Sequence, residues 1–143
     1  KDKERRVIRL LKIWKKANGK DVKSFVLELF VIKALEDYNG ANDIWAILKH
    51  TLEYIRDNAK NESCHLYDPG NSNNDVLARM EKYERNQLSD EMKNLLYAIE
   101  NIDGYIKTAF PENKKYKKLK DNYGTKIENE IPLPPDNKRF GNI

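Results

Sequence analysis

Apolar positions along this chain recur mostly at three- and four-residue spacing, the period of a helix with one buried face. Val7, Leu10, Leu11 and Trp14 keep that period from about Asp2 to Ala17, and Asn18-Gly19 reads as the stop. A second helix is predicted over about Val22 to Tyr38, apolar almost all round, which marks the most buried helix of a bundle. Asn39-Gly40 ends it, and Asn42-Asp43 caps a third helix running to about Ala59 with Ile44, Trp45, Ile47, Leu48, Leu52 and Ile55 in its stripe. Residues 60–73 read as a loop rich in Asn, Ser, Gly, Asp and Pro, with a short extended run at Cys64–Tyr67. A fourth helix is expected from Asn74 to Asn86, with Val76, Leu77, Met80 and Tyr83 inward. A fifth, capped by Ser89, is expected from Asp90 to Thr108, with Gly104 as its weak point. After Phe110-Pro111 the pattern decays into Lys runs and Ile131-Pro132-Leu133-Pro134-Pro135, which favours extended or polyproline backbone. The pattern as a whole predicts an all-α, five-helix bundle over residues 1–111 with one long Asp-Pro loop. Residues 112–143 are expected to form an irregular C-terminal extension packed on it.

Composition narrows this further. A length of 143 residues suits one ordinary domain, and two Trp, eight Tyr and four Phe supply too much apolar surface for a disordered chain. No stretch approaches the roughly 20 apolar residues of a membrane span, and the basic N-terminus leads into no signal sequence. Cys64 stands alone, so no disulfide forms within the chain, and a reducing, cytoplasmic setting is expected. The chain starts at Lys1 inside a helix, which suggests a piece of something larger.

The net charge of +4 is uneven. Residues 1–24 hold ten Lys and Arg against three acids, residues 25–109 nine against fifteen, and residues 110–143 eight against five. The acidic middle disfavours a uniformly basic nucleic-acid module, while the two basic ends could together form an anion-facing surface. Charge runs are also what solvated helix faces look like, and both readings stand.

Few constellations for catalysis are present. There is no Cys-x-x-Cys or His-Glu-x-x-His, so no zinc ligand set. There is no Gly-rich phosphate loop and no Asp-x-Asp pair for two-metal phosphoryl transfer. Cys64-His65 reads as a buried thiol beside a loop histidine, and Glu128 and Glu130 as solvated carboxylates. The chain alone does not read as a complete enzyme. What remains is suited to binding. Lys12 stands near Arg5, Arg9 and Lys16, a cationic group that favours phosphate, and Ser24-Phe25 opens the second helix. An aromatic ring can stack on a base at roughly 1–3 kcal/mol, although in so apolar a helix Phe25 also reads as core.

Two segments carry a family resemblance. Arg9-Leu10-Leu11-Lys12-Ile13-Trp14, a turn and Ser24-Phe25-Val26-Leu27-Glu28-Leu29 form the first, and Tyr67-Asp68-Pro69-Gly70-Asn71-Ser72-Asn73-Asn74-Asp75-Val76 the second. Over roughly residues 5–110 the chain resembles the helical domain of oligoadenylate synthase and cyclic GMP-AMP synthase-like nucleotidyltransferases. It is nearest to the bacterial transferases that make cyclic di- and trinucleotide signals in anti-phage (antiviral) defence. The resemblance implies a helical lid that binds nucleoside triphosphates, while an N-terminal catalytic domain supplies a Gly-Ser motif and the Mg²⁺-binding carboxylates. Neither Gly-Ser nor Asp-x-Asp occurs here, so the catalytic half is expected to lie outside this chain. By resemblance Lys12 approaches the nucleotide phosphates, and Ser24 and Phe25 lie beside the base with the ring stacking. Phe lacks the hydroxyl of the Tyr common at that position. Arg5, Arg9 and Lys16 extend the anion surface. Asp68, Pro69, Asn71, Asn73 and Asn74 are read as structural, holding a turn and capping the next helix, and Trp14, Leu27 and Leu29 as core. Two other readings remain. One is a non-enzymatic basic helical module for RNA or an acidic protein. The other is the helical domain of an RNA-extending transferase of the poly(A)- or CCA-adding kind.

Overall fold

The computed structural model describes residues 2–112. The expected packing of the C-terminal extension therefore falls, from residue 113 onward, outside the described residues. Five helices and one short hairpin follow in order: α1 (Asp2–Ala17), α2 (Ser24–Leu35), α3 (Ile44–Asn58), β1 (Tyr67–Asp68), β2 (Asn71–Asp75), α4 (Lys82–Asn101) and α5 (Tyr105–Ala109).

α1 buries Val7, Leu10, Leu11 and Trp14, the stripe its sequence predicts. It stops at Gly19, whose φ of 61° suits glycine, and the Lys20 N–H closes the last turn on the Lys15 carbonyl at 2.9 Å. Asn18 adds a clip: its Nδ2 donates to the Trp14 carbonyl at 2.9 Å and, across the domain, to the Ala109 carbonyl at 3.1 Å. α2 lies against both α1 and α3, with Leu27, Phe30, Val31 and Leu35 essentially sealed from solvent. It is shorter than its apolar run suggests at both ends, and two apolar residues, Phe25 and Ile32, stay at the surface. At the turn after it, Tyr38 folds back so that its hydroxyl donates to the Ala41 carbonyl at 2.6 Å. A Cβ on Gly40 would meet that hydroxyl at 2.7 Å, so a larger residue there would push the Tyr38 ring out of this position. Asp43 caps α3 as predicted, accepting from the Ala46 N–H at 2.8 Å.

The second half departs from the sequence reading. The domain is mostly helical but not all-α, because Tyr67 pairs antiparallel with Asp75 and Asp68 with Asn71 around a Pro69-Gly70 tip. The expected helix over 74–86 forms only from Lys82 onward, as the start of α4. Val76 and Leu77 are buried as expected, but they sit in turns between β2 and α4. Tyr83, expected inward, is 69% exposed. The two expected helices on either side of Ser89 are instead one helix, α4. Its start is a reciprocal box in which Glu81 caps the first turn and the Glu84 side chain accepts from the Glu81 N–H at 2.8 Å. Ser89 is not a cap. It is buried in mid-helix, and its hydroxyl donates to the Arg56 carbonyl of α3 at 2.6 Å. Gly104 does break the helix, at φ 75° between α4 and α5.

α3 and α4 make the most extensive helix pairing, through Leu48, Leu52 and Ile55 on one side and Leu88, Met92, Leu95 and Ile99 on the other. Arg85 ties their ends, its guanidinium donating to the Ala59 and Asn61 carbonyls at 2.7 and 2.8 Å. Those carbonyls follow the C-terminus of α3, where a cation is also favoured by the helix dipole.

Candidate functional site

A cleft of about 430 Å³ opens where the start of α2, the end of β2 with its following turn, and the first half of α4 meet. Its floor is apolar, from Val22, Val26, Val76, Met80 and Leu88, and its walls carry Phe25 and Tyr83. Phe25 is 43% exposed, so the core reading of this ring gives way to a surface one. Lys23 and Arg79 supply positive charge at the rim, and Asp21, Glu84 and Glu91 negative charge. Part of that charge is already engaged. Lys20 meets Glu91 at 3.6 Å while lying 5.7 Å from the centre of the Trp14 ring, and Glu84 is held in the α4 cap. Arg79 is steadied by donating to Asn74 Oδ1 at 3.0 Å.

The hairpin positions one wall, and its polar side chains organise its own backbone. Asp68 Oδ1 accepts from the Gly70 N–H at 2.8 Å and Asn71 Oδ1 from the Asn73 N–H at 3.2 Å. These are side-chain turns that replace backbone bonds a tight loop cannot make. Pro69 occupies the exposed tip and Asn73 is exposed beside it. None of the motif residues caps the next helix; Glu81 does.

The anchor of the hairpin is Asp75. Its Oδ1 accepts from the Leu66 N–H at 3.0 Å and the Leu77 N–H at 3.2 Å, and its Oδ2 lies 2.7 Å from His65 Nδ1. Burial alone would push this carboxyl up. The bonds from Leu66, His65, Ala78 and Leu77 together outweigh burial and hold it below the ordinary aspartate value.

The predicted binding residues are divided by the structure. Phe25 lines the cleft, and Ser24 precedes it at the first turn of α2, partly exposed. Lys12 does not line it. Its ammonium pairs with Glu28 of α2 at 2.9 Å, and Glu28 is one helical turn beyond Phe25. Arg5, Arg9, Lys12 and Lys16 follow one another at four-, three- and four-residue steps, a single stripe along α1, outside the cleft. Of the loop motif, Asn74 reaches the cleft. Lys23 and Arg79 join the site without having been singled out from sequence, Tyr83 joins it after being read as inward, and Asp75 anchors it. An acid directly after the Asn run and before the buried pair Val76-Leu77 was the available signal for Asp75. Lys23, Arg79 and Tyr83 have no local signal, because only the fold brings them together.

Burial pushes Tyr54 up to about 12, and burial likewise raises the Cys64 thiol beside it, so both stay protonated at neutral pH and Cys64 is no activated nucleophile. Among the described residues no three His, Cys, Asp or Glu side chains gather as metal ligands. No helix among the described residues is long and apolar enough to cross a membrane. No protein-family model matches the chain, and no curated protein or solved structure matches it.

Proposed function

We propose that this chain is the helical, nucleotide-binding half of a nucleotidyltransferase that makes cyclic or short oligonucleotide messengers from nucleoside triphosphates, in anti-phage signalling. One observation carries the reading. Two motifs about fifty residues apart in sequence share a single cleft, Phe25 from one and Asn74 and Val76 from the other. The cleft volume falls in the range of small-molecule sites, and it combines an apolar floor with few polar groups at the rim. A base stacks on the exposed face of Phe25, and its phosphates face Lys23 and Arg79 at the rim. Lys12, held by Glu28 on the neighbouring face, serves phosphates only after exchanging that carboxylate for them. A separate N-terminal catalytic domain is the partner that closes the cleft. Mg²⁺ bound on that domain supplies charge stabilisation for in-line attack at the α-phosphorus, while the residues of this chain bind and orient the nucleotide.

Titrating the chain with each nucleoside triphosphate, followed by NMR, tests this. Amide shifts are expected at Lys23, Phe25, Asn74 and Arg79, with affinity lowered at least tenfold by Phe25→Ala and kept by Phe25→Tyr. The basic stripe of α1 favours a second reading, an RNA-binding module. RNA binding that falls steeply with salt, without any response to nucleoside triphosphates, would replace the first reading by the second. Extended RNA as the product of the parent enzyme, in place of cyclic or short oligonucleotides, would move it to the poly(A)- or CCA-adding kind.

A further inference from the structure

We propose that Asn39 is a self-modification site of the folded chain, attacked by the backbone nitrogen of Gly40 and converted with water to aspartate and isoaspartate, while the fold protects the same dipeptide at Asn18-Gly19. Asn-Gly occurs twice in the sequence, each time in the turn that follows a helix, α1 or α2. Glycine is the residue that least hinders such an attack, because it carries no Cβ beside the attacking nitrogen. The two sites share the same local chemistry, so their surroundings decide between them.

The step needs no oxidant and no cofactor. The glycine N–H gives up its proton, and the nitrogen forms a bond to the asparagine Cγ. The bond from Cγ to Nδ2 breaks, and the side-chain nitrogen leaves with that proton as ammonia. A five-membered succinimide remains. Water then opens it at either carbonyl, giving aspartate, or an isoaspartate whose backbone runs through the side-chain carbon.

At Asn18 the atom that must leave is the atom the fold holds. Its Nδ2 donates to the Trp14 carbonyl at 2.9 Å and to the Ala109 carbonyl at 3.1 Å, and the residue is partly buried. Turning its Cγ onto the Gly19 nitrogen breaks both bonds, one of them the clip between the ends of α1 and α5. Asn39 has no such restraint. Asn39 and Gly40 are exposed, lie outside helix and strand, and make no hydrogen bond among the described residues. The Tyr38 hydroxyl reaches past them to the Ala41 carbonyl at 2.6 Å, and its ring fills the side of Gly40 where a Cβ would stand. That contact holds the turn and leaves the Asn39 amide unbonded. The product also alters the turn. With Glu36 and Asp37, the new carboxylate is the third acid in four residues, just past the C-terminus of α2, where the helix dipole disfavours negative charge.

The inference does not depend on the nucleotide reading, because the modification is read with no ligand present. The full chain is incubated at mildly alkaline pH and then digested with an acid-active protease, so that digestion adds no conversion of its own. Peptide mass spectrometry follows each asparagine. In the folded chain Asn39 is expected to convert at least about tenfold faster than Asn18, the rate factor that breaking two hydrogen bonds first imposes. In urea the two rates are expected to converge, since neither side chain is then held. Asn39→Gln, whose longer side chain has to close a larger ring, is expected to leave position 39 unmodified without changing the rate at Asn18. Three results would overturn the proposal: Asn18 converting as fast as Asn39 in the folded chain, Asn39 converting only in urea, or a rate difference that persists undiminished in urea.

Discussion

The Asp75 carboxylate accepts from two backbone N–H groups on either side of the hairpin and meets His65 at 2.7 Å. Removing it leaves the Leu66 and Leu77 donors without a partner in a partly buried site. Asp75→Ala should therefore cost about 2–4 kcal/mol, read as a lower urea midpoint at unchanged slope. The pH dependence follows from the lowered carboxyl. A depressed folded value means this stabilisation is complete above the unfolded aspartate range, near pH 4, and is lost as pH falls through the folded value. Asp75→Asn should flatten that part of the acid-unfolding curve. The two phenylalanines of α2 make the opposite contrast. Phe30 is fully buried and Phe25 is not, so Phe30→Ala should cost about 3–5 kcal/mol and Phe25→Ala less than about 1 kcal/mol. The asparagine and aspartate run was legible as a turn-former, but which of its acids carried the hairpin was not. That depends on Leu66 being brought opposite, and no local pattern encodes it.

α1, α3 and the break at Gly104 were legible because each combines a clean helical period with a specific end signal. α4 was not, and the reason is tertiary. Ser89 and Asp90 look like a helix start, yet Leu88, Met92, Leu95 and Ile99 form one stripe that α3 covers without interruption. The serine hydroxyl finds its acceptor in the Arg56 carbonyl across that interface instead of in its own first turn. Ser89→Ala should cost about 1 kcal/mol, measured by thermal or urea unfolding, with helix content by circular dichroism unchanged. A true cap would lose helix as well. The stretch from Val76 to Met80 was misread for a related reason. Its apolar spacing suits a helix, but Asp75 turns the backbone toward Leu77 and ends the strand there, so a helix has to restart at Glu81.

At the scale of the described domain, the basic stripe on α1 and the cleft at the start of α2 are separate features, and the Lys12–Glu28 pair ties the stripe to α2 outside the cleft lining. Lys12 and Glu28 are both more than a third exposed, so the pair adds little to stability. Lys12→Ala should leave the unfolding midpoint nearly unchanged; on the proposed nucleotide reading it lowers turnover or nucleotide affinity in the full transferase, and unaltered kinetics there would exclude a phosphate contact for Lys12. Each of the two motifs was readable alone. Their convergence was not, since it requires the hairpin to fold against the α2 N-terminus and α4 to supply Tyr83. The clip from Asn18 to Ala109 adds a consequence for handling the protein. It fixes the exit of the domain at one end of α1, while Asp2 begins the other end, about 24 Å away along a 16-residue helix. A fluorophore or affinity handle ahead of Asp2 leaves the cleft open.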